Sequence, residues 1–160
     1  MTTESLDGMC LMLTDDVLTL IESQLTTAVA EMDEADMVEV TRPSSLEGYK
    51  LNHAKGALLI LHQNSEYGEE RIQNEVVMNR IMNVTVYALI RSGKSGMLPH
   101  EYIDFITSTL GGMVINNQFS TGIVTPRSDE FVFEEQGVWC YGVTLTVPVE
   151  YVKMIDQING

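Results

Sequence analysis

Three pairs of adjacent acidic residues have the clearest capacity for chemistry in this sequence, because two carboxyl groups can divide general acid and general base roles between them. No histidine or nucleophile stands at a recognisable spacing from any pair, and neighbouring residues on a strand point to opposite faces. We therefore interpret the pairs as solvated charge. They are Glu69-Glu70, Asp129-Glu130 and Glu134-Glu135.

Phosphate and metal chemistry are not indicated either. Gly93-Lys94-Ser95 resembles the end of a phosphate-binding loop, but that motif needs a glycine five residues before the Gly-Lys pair, and Ala88 stands there. The two cysteines, Cys10 and Cys140, lack CxxC spacing, and the three histidines lie far apart. We expect no catalytic residues, no cofactor, no metal and no enzymatic activity.

The composition predicts a folded acidic protein of 160 residues with a net charge of −14. Residues 1–47 carry 11 acidic residues and one basic residue, so that segment alone contributes −10. Specific nucleic-acid binding is disfavoured, because it depends on clustered Lys and Arg. The absence of a basic leader and of an apolar run of about 18 residues predicts a soluble cytosolic chain with reduced thiols and no membrane contact.

The hydrophobic periodicity predicts one α+β domain over residues 1–160, with residues 1–13 as an N-terminal extension. We expect a largely antiparallel or mixed sheet with two helices packed on one face. The long strand, about three times the usual length, predicts an arm or β-augmentation edge used in self-assembly. The predicted elements are a helix over 14–32, strands over 37–41 and 55–62, a loop containing Ser65, Tyr67 and Gly68, a long strand over 74–90 with a bulge near Arg80, a helix over 98–110, and a hairpin of 122–135 with 138–149.

Several short motifs follow one another in an order that resembles the Mu-like phage and prophage tail-terminator family. The resemblance covers residues 14–150, although the acidic stretch after Met32 is not part of the family pattern. The motifs are Leu51-x-His53-x-Lys55-Gly56-Ala57-x-Leu59, Ser65-x-Tyr67-Gly68, Arg80 within a strand that ends at Arg91, Glu134-Glu135-x-Gly137-Val138-Trp139-x-Tyr141, and Val147-Pro148.

This resemblance implies a structural virion protein that assembles as a homohexameric ring on the head-proximal end of a tail tube. Such a ring ends tube growth, contacts neck or connector proteins and, in a contractile tail, the last sheath layer. DNA would pass through it without being specifically bound, and acidic walls would keep that DNA mobile. The implied location is the virion tail, with assembly in the host cytoplasm.

The resemblance also gives candidate interface and lumen residues. We expect Ser65–Arg71 and Glu134–Trp139 to lie near subunit contacts, the arginines to donate ion pairs, and the acidic residues, including the cluster at 31–36, to face the lumen or the mating ring. Equally, Gly68 and Gly137 could simply permit turns and Trp139 could simply fill the core. The candidates are Tyr67, Gly68, Glu69, Glu70, Arg71, Arg80, Arg127, Asp129, Glu130, Glu134, Glu135 and Trp139.

Three other functions are compatible with the sequence. A neck or head-tail completion protein would leave tails of normal length without heads when it is lost. An acidic mimic of nucleic acid would present carboxylates spaced like phosphates, and a small enzyme would bring the acid pairs into a concave cluster with perturbed pKa values.

Overall fold

The computed structural model describes residues 14–72, 75–116 and 121–154, with the backbone alone at 69–72, 75–78, 121 and 150–154. The predicted N-terminal extension, 1–13, lies outside the described residues. The elements in chain order are α1 (Thr14–Ala30), a 3-10 turn (Glu34–Asp36), β1 (Glu39–Thr41), β2 (Gly56–Ile72), β3 (Glu75–Arg91), α2 (Glu101–Leu110), β4 (Val114–Asn116), β5 (Thr121–Ile123), β6 (Thr125–Glu135) and β7 (Val138–Met154).

The main sheet is mixed and five-stranded, in the order β1-β2-β3-β7-β6. β1 pairs with β2 in parallel, and the other three pairs are antiparallel. β4 and β5 form a separate two-stranded sheet. The predicted α+β class is therefore confirmed.

Both helices pack on one face of this sheet, which we call the helix face. Val17, Ile21, Leu25 and Val29 recur every three or four residues along α1 and are all buried, as the periodicity predicts. α2 buries its own stripe by the same spacing. The stripe consists of Tyr102, Ile106 and Leu110. These side chains join alternate residues of β2, β3 and β7 in one core.

The opposite face of the sheet, which we call the second face, is only partly covered. A small buried cluster forms there around Leu59, Leu89 and Cys140. Leu46 and Tyr49, from the connection between β1 and β2, pack against it. The remainder of the second face has no covering element among the described residues.

β2, β3 and β7 are each 17 residues long, which corresponds to about 55 Å of strand. They pair with one another beyond the ends of β1 and β6. We define the arm as this projecting three-stranded part, formed by 64–72 of β2, 75–83 of β3 and 147–154 of β7. The predicted long strand is confirmed, and the arm has three strands rather than one or two.

Two predictions about this region are wrong. Ser65, Tyr67 and Gly68 lie within β2 and not in a loop, because each pairs with a residue of β3. β3 pairs without interruption with β7 through Arg80, and the irregularity lies instead in β2, between His62 and Asn64. The polar sequence of β2 concealed the strand, because alternation of apolar residues requires a buried face.

The β6–β7 turn agrees with the prediction from Gln136-Gly137. Both residues have positive φ, 52° and 83°, which is the conformation of a two-residue type I′ turn. The backbone N–H of Gly137 also donates a hydrogen bond to Glu134 Oε2, at 2.9 Å. Gly137 therefore permits the turn, and its place at a subunit contact stays a prediction.

Candidate functional site

Arg80 joins the arm to the start of α1. Its Nε donates a hydrogen bond to Ser65 Oγ at 3.0 Å, and its Nη2 donates to Thr14 Oγ1 at 2.7 Å. The guanidinium carbon lies 5.6 Å from the ring centroid of Tyr67, which is within cation–π distance. The structure therefore brings the predicted residues Tyr67 and Arg80 together, with Arg80 donating to hydroxyl groups in these contacts.

Ser65 also lies within hydrogen-bond distance of His62, with 2.9 Å between Oγ and Nε2. Ser65 Oγ accepts from Arg80 and keeps its own proton, which it can donate to Nε2 of a neutral imidazole protonated on Nδ1. Burial and then the charge of Arg80 lower the pKa of His62, in agreement with the neutral form. The four side chains Thr14, Ser65, His62 and Arg80 form what we call the arm-base cluster.

The partners of Arg80 could not be identified from the sequence. Thr14 and Ser65 lie 66 and 15 positions away, so no local spacing signals the contact. The signal that was available is the pairing of Tyr67 with Arg80 in the β2–β3 ladder, which follows once β2 is recognised as a strand. The alternation of side chains along each strand then puts Ser65 and Tyr67 on the helix face together with Arg80.

Four more predicted residues lie on the arm. Gly68 pairs with Asn79, and the backbone of the next three continues the ladder as far as Val76. A Cβ added at Gly68 would have only Asn79 Cβ within 4 Å, at 3.9 Å, so this glycine is not required by packing. The three that follow it are Glu69, Glu70 and Arg71, of which the structure describes the backbone.

The predicted residues of β6 lie on the exposed edge of the sheet. Asp129 pairs with Val143, whose side chain is in the helix-face core, whereas Glu130 pairs with Gly142 on the second face. Glu134 and Glu135 are separated in the same way by their partners Trp139 and Val138. The acid pairs of β6 are therefore divided between the two faces, as strand alternation predicts.

The tip of the β6–β7 hairpin carries three aromatic rings in contact. The Phe131 centroid lies 5.7 Å from that of Trp139 and 5.4 Å from that of Tyr141. Phe131 is 51% exposed, and the other two rings are half-buried. Trp139 is thus neither a fully buried core residue nor freely exposed.

A polar groove of about 420 Å³ lies on the second face, next to the arm. Side chains on the floor of the groove form hydrogen bonds with one another. Thr85 Oγ1 and Thr144 Oγ1 are 3.0 Å apart, and Gln63 Nε2 donates to the Tyr87 hydroxyl at 3.0 Å. The charged residues among its lining are Glu66, Arg127 and Glu130. The structure therefore separates Arg127 and Glu130 from the arm-base cluster, which lies on the other face.

The acidic residues do not gather into one surface. The cluster at 31–36 follows the end of α1, whereas Glu69 and Glu70 lie on the arm beyond the start of α1. α1 alone separates those two places by about 25 Å. Asp129 and Glu130 lie in a third place, on the β6 edge of the sheet.

Arg42, which the sequence analysis did not select, fastens β1 to α1. It forms ion pairs with Asp15 at 2.8 Å and with Glu22 at 3.5 Å, and it donates a hydrogen bond to Thr19 Oγ1 at 3.1 Å. The sequence did carry a signal, because Arg42 is the one basic residue in 1–47, a segment with 11 acidic residues. Its role here is structural.

Cys140 is a free thiol, fully buried in the second-face cluster, and burial raises its pKa to about 12. Among the described residues, no group of three or more His, Cys, Asp or Glu is arranged to hold a metal ion. In the same part of the chain, no helix is long and apolar enough to cross a membrane.

Comparison with known proteins connects this fold to one family. No curated protein matches the chain. The family described as Gp37 protein matches residues 31–160, which include the sheet and α2 and leave out all of α1. Because that match covers most of the 160 residues, the chain belongs to the Gp37 protein family, which indicates a protein of phage type.

Proposed function

We propose that this protein caps the head-proximal end of a phage tail tube as a ring of identical copies, ends tube growth, and forms the joint to the neck. The observation that carries the proposal is the arm. Three 17-residue strands run together beyond β1 and β6, which is far longer than the usual five to six residues. A projecting sheet of this kind is suited to joining one subunit to the next.

The phage-type family and the ordered motifs support the same proposal independently of the arm. The partners would then be further copies of this chain, the tail-tube protein, neck or connector proteins, and the sheath in a contractile tail. The net charge of −14 suits a ring through which DNA passes, because acidic walls repel phosphates and leave the DNA mobile.

The proposal is tested by polymerising the cognate tail-tube protein with and without this protein, and measuring tube ends and lengths by negative-stain electron microscopy. We expect tubes of defined length with a ring at one end. Unchanged tube growth without a ring would refute the tail-terminator function. Tails of normal length that lack heads, in phage without this protein, would indicate neck completion instead.

A matched pair of variants locates the function on the arm. Tyr67 is 70% exposed on the arm, and Leu98 is 58% exposed near the opposite end of β3, so each substitution removes one exposed large side chain. We expect Tyr67→Ser to lower the fraction of capped tubes and Leu98→Ser to leave it unchanged. Equal capping by the two variants would contradict a role for this side of the arm.

The role of the acidic residues is tested separately from capping. If the ring encloses the DNA path, replacing Asp129 and Glu130 together by lysine changes the net charge by +4 per copy and puts one lysine on each face of β6. We expect slower DNA ejection from particles whose tail length is unchanged. Normal ejection kinetics would show that these two residues do not face the DNA.

A further inference from the structure

The arm has an open edge on each side. β1 pairs with β2 only as far as Leu59, and β6 pairs with β7 only as far as Thr146. β5 approaches β7 next to Pro148, where a Cβ on Gly122 would collide with the Pro148 carbonyl oxygen. Among the described residues, no strand pairs with the outer edge of β2 over 64–72 or with that of β7 over 149–154.

The edge of β6, in contrast, carries features that prevent strand addition. Its register with β7 shifts at Arg127 and again at Val132. It also contains Pro126 and four carboxylates, and bulges, proline and charge are the usual means of protecting an edge. The β7 segment 149–154 has one acidic and one basic residue and is otherwise Val, Tyr and Met, so it retains a sequence suited to pairing.

We propose that the outer edge of β7 in one copy pairs in parallel with the outer edge of β2 in the next copy. This inference deepens the proposed ring and rests on it for the choice of rotational symmetry. Of the possible pairings between copies, only this one fills both edges of every arm with a single type of contact. Pairing of like edges in a two-fold dimer would leave the other edge of each arm open.

The direction of the pairing follows from the sheet. β2 and β7 are each antiparallel to β3, so they run parallel to each other. Rotation about an axis along the strands preserves their direction, and the β2 of the next copy therefore runs parallel to the β7 of the first. Six copies would close a cylinder of about 18 strands, a size at which β-barrels enclose an aqueous channel.

The net charges of the two edge segments also favour pairing of β7 with β2 over pairing of two β2 edges. The β2 edge segment, 64–72, contains three acidic residues and one basic residue, so its net charge is −2, whereas the β7 segment, 149–154, is neutral. Two β2 edges side by side would place like charges opposite each other, which destabilises a sheet. A β7 edge offers the β2 edge no such repulsion.

Cysteine cross-linking tests the pairing in the full-length chain. In a Cys10→Ser background, cysteine at position 66 or 68 is combined with cysteine at each position from 150 to 154, because the register between copies is free. Buried Cys140 is not accessible. Within one copy β3 separates β2 from β7 by about 10 Å, which is too far for a disulfide, so any bond formed joins two copies.

We expect at least one double variant to give a ladder of cross-linked species that ends at the closed ring, while the single-cysteine variants remain uncross-linked. A bond in a variant with cysteine only in β2, or only in β7, would show pairing of like edges and overturn the inference. So would the absence of any bond both in free protein and on capped tubes. Hydrogen exchange gives a second readout, since outer-edge amides of both strands should become protected on assembly.

Failure of this inference is distinguishable from failure of the proposed function. Capped tubes without the β2–β7 cross-link would leave the function standing and refute the pairing. Cross-linked rings that do not cap tubes would refute the function and leave the pairing standing.

Discussion

Replacing Arg80 should loosen the attachment of the arm to the helix layer. The guanidinium donates two hydrogen bonds, to Ser65 Oγ and Thr14 Oγ1, and lies over the ring of Tyr67. Hydrogen bonds to charged groups each contribute about 1.5–3 kcal/mol, and an exposed cation–π contact about 0.5–1 kcal/mol. Because Arg80 is only half-buried, water replaces part of what is lost.

We therefore expect Arg80→Met to lower the free energy of unfolding by about 2–4 kcal/mol, since Met keeps much of the aliphatic stem and removes both donors. For a chain of this length, that corresponds to a fall in Tm of about 5–15 °C. Arg80→Lys keeps the charge but not the forked geometry, and should lose about half as much. Urea unfolding followed by circular dichroism measures both variants.

Arg127→Ala is the matched control, because Arg127 is an exposed arginine in β6, outside the arm-base cluster. It should change stability by less than about 0.5 kcal/mol. Hydrogen exchange should show that Arg80→Met exposes amides of the arm and of the first turn of α1 before those of the central sheet. An Arg80→Met protein as stable as the control would refute the attachment.

Three further predictions concern single side chains. Burial and the charge of Arg80 lower the pKa of His62 below 6.5, so the unfolded chain binds the proton more readily than the folded one. The free energy of unfolding should therefore fall as the pH drops below about 6.5. His62→Gln should reduce that dependence in urea titrations between about pH 5.5 and 7.5, and an unchanged dependence would contradict the lowered pKa. In a Cys10→Ser background, a thiol reagent at about pH 8 should leave Cys140 unmodified until urea unfolds the protein, and rapid labelling of the native protein would contradict its burial. Trp139→Ala should cost about 2 kcal/mol of stability, below the 3–5 kcal/mol of a fully buried aromatic, with Phe131→Ala costing less; a larger loss at Phe131 would reverse the assigned exposure.

The elements with a buried stripe could be predicted from the sequence, and those without one could not. The apolar residues of α1 and α2 recur at intervals of three and four residues because both helices pack on one core. Gln136-Gly137 predicted a turn because few residue types adopt positive φ. The outer half of β2 gave no such pattern. It pairs on one side with β3 and carries Ser, Gly and acidic residues, a composition typical of a loop.

The candidate site was predicted in part for the same reason. Strand alternation predicted that the acid pairs of β6 point to opposite faces, because that requires only the period of two. The contact of Arg80 with Thr14 depends on how the sheet and α1 pack, and no spacing within either element encodes it. Arg80 could therefore be selected as a candidate residue from the sequence, whereas its contact with α1 is a property of the tertiary fold.

The position of the arm-base cluster has a consequence for a ring closed through the arms. Arg80 places the start of α1 beside the arm, and the 17 residues of α1 then carry the chain about 25 Å towards the opposite end of the sheet. The acidic cluster at 31–36 would therefore lie on a rim of the ring, away from the strand cylinder, while Glu69 and Glu70 would belong to the cylinder itself. Under the proposed function the two groups of acidic residues would have different roles, because the rim would contact a partner protein and the cylinder wall would line the path of the DNA. A basic docking surface on the neck or tube would be the electrostatic complement of the rim, and its contribution would weaken with salt in a way that pairing between backbone edges would not.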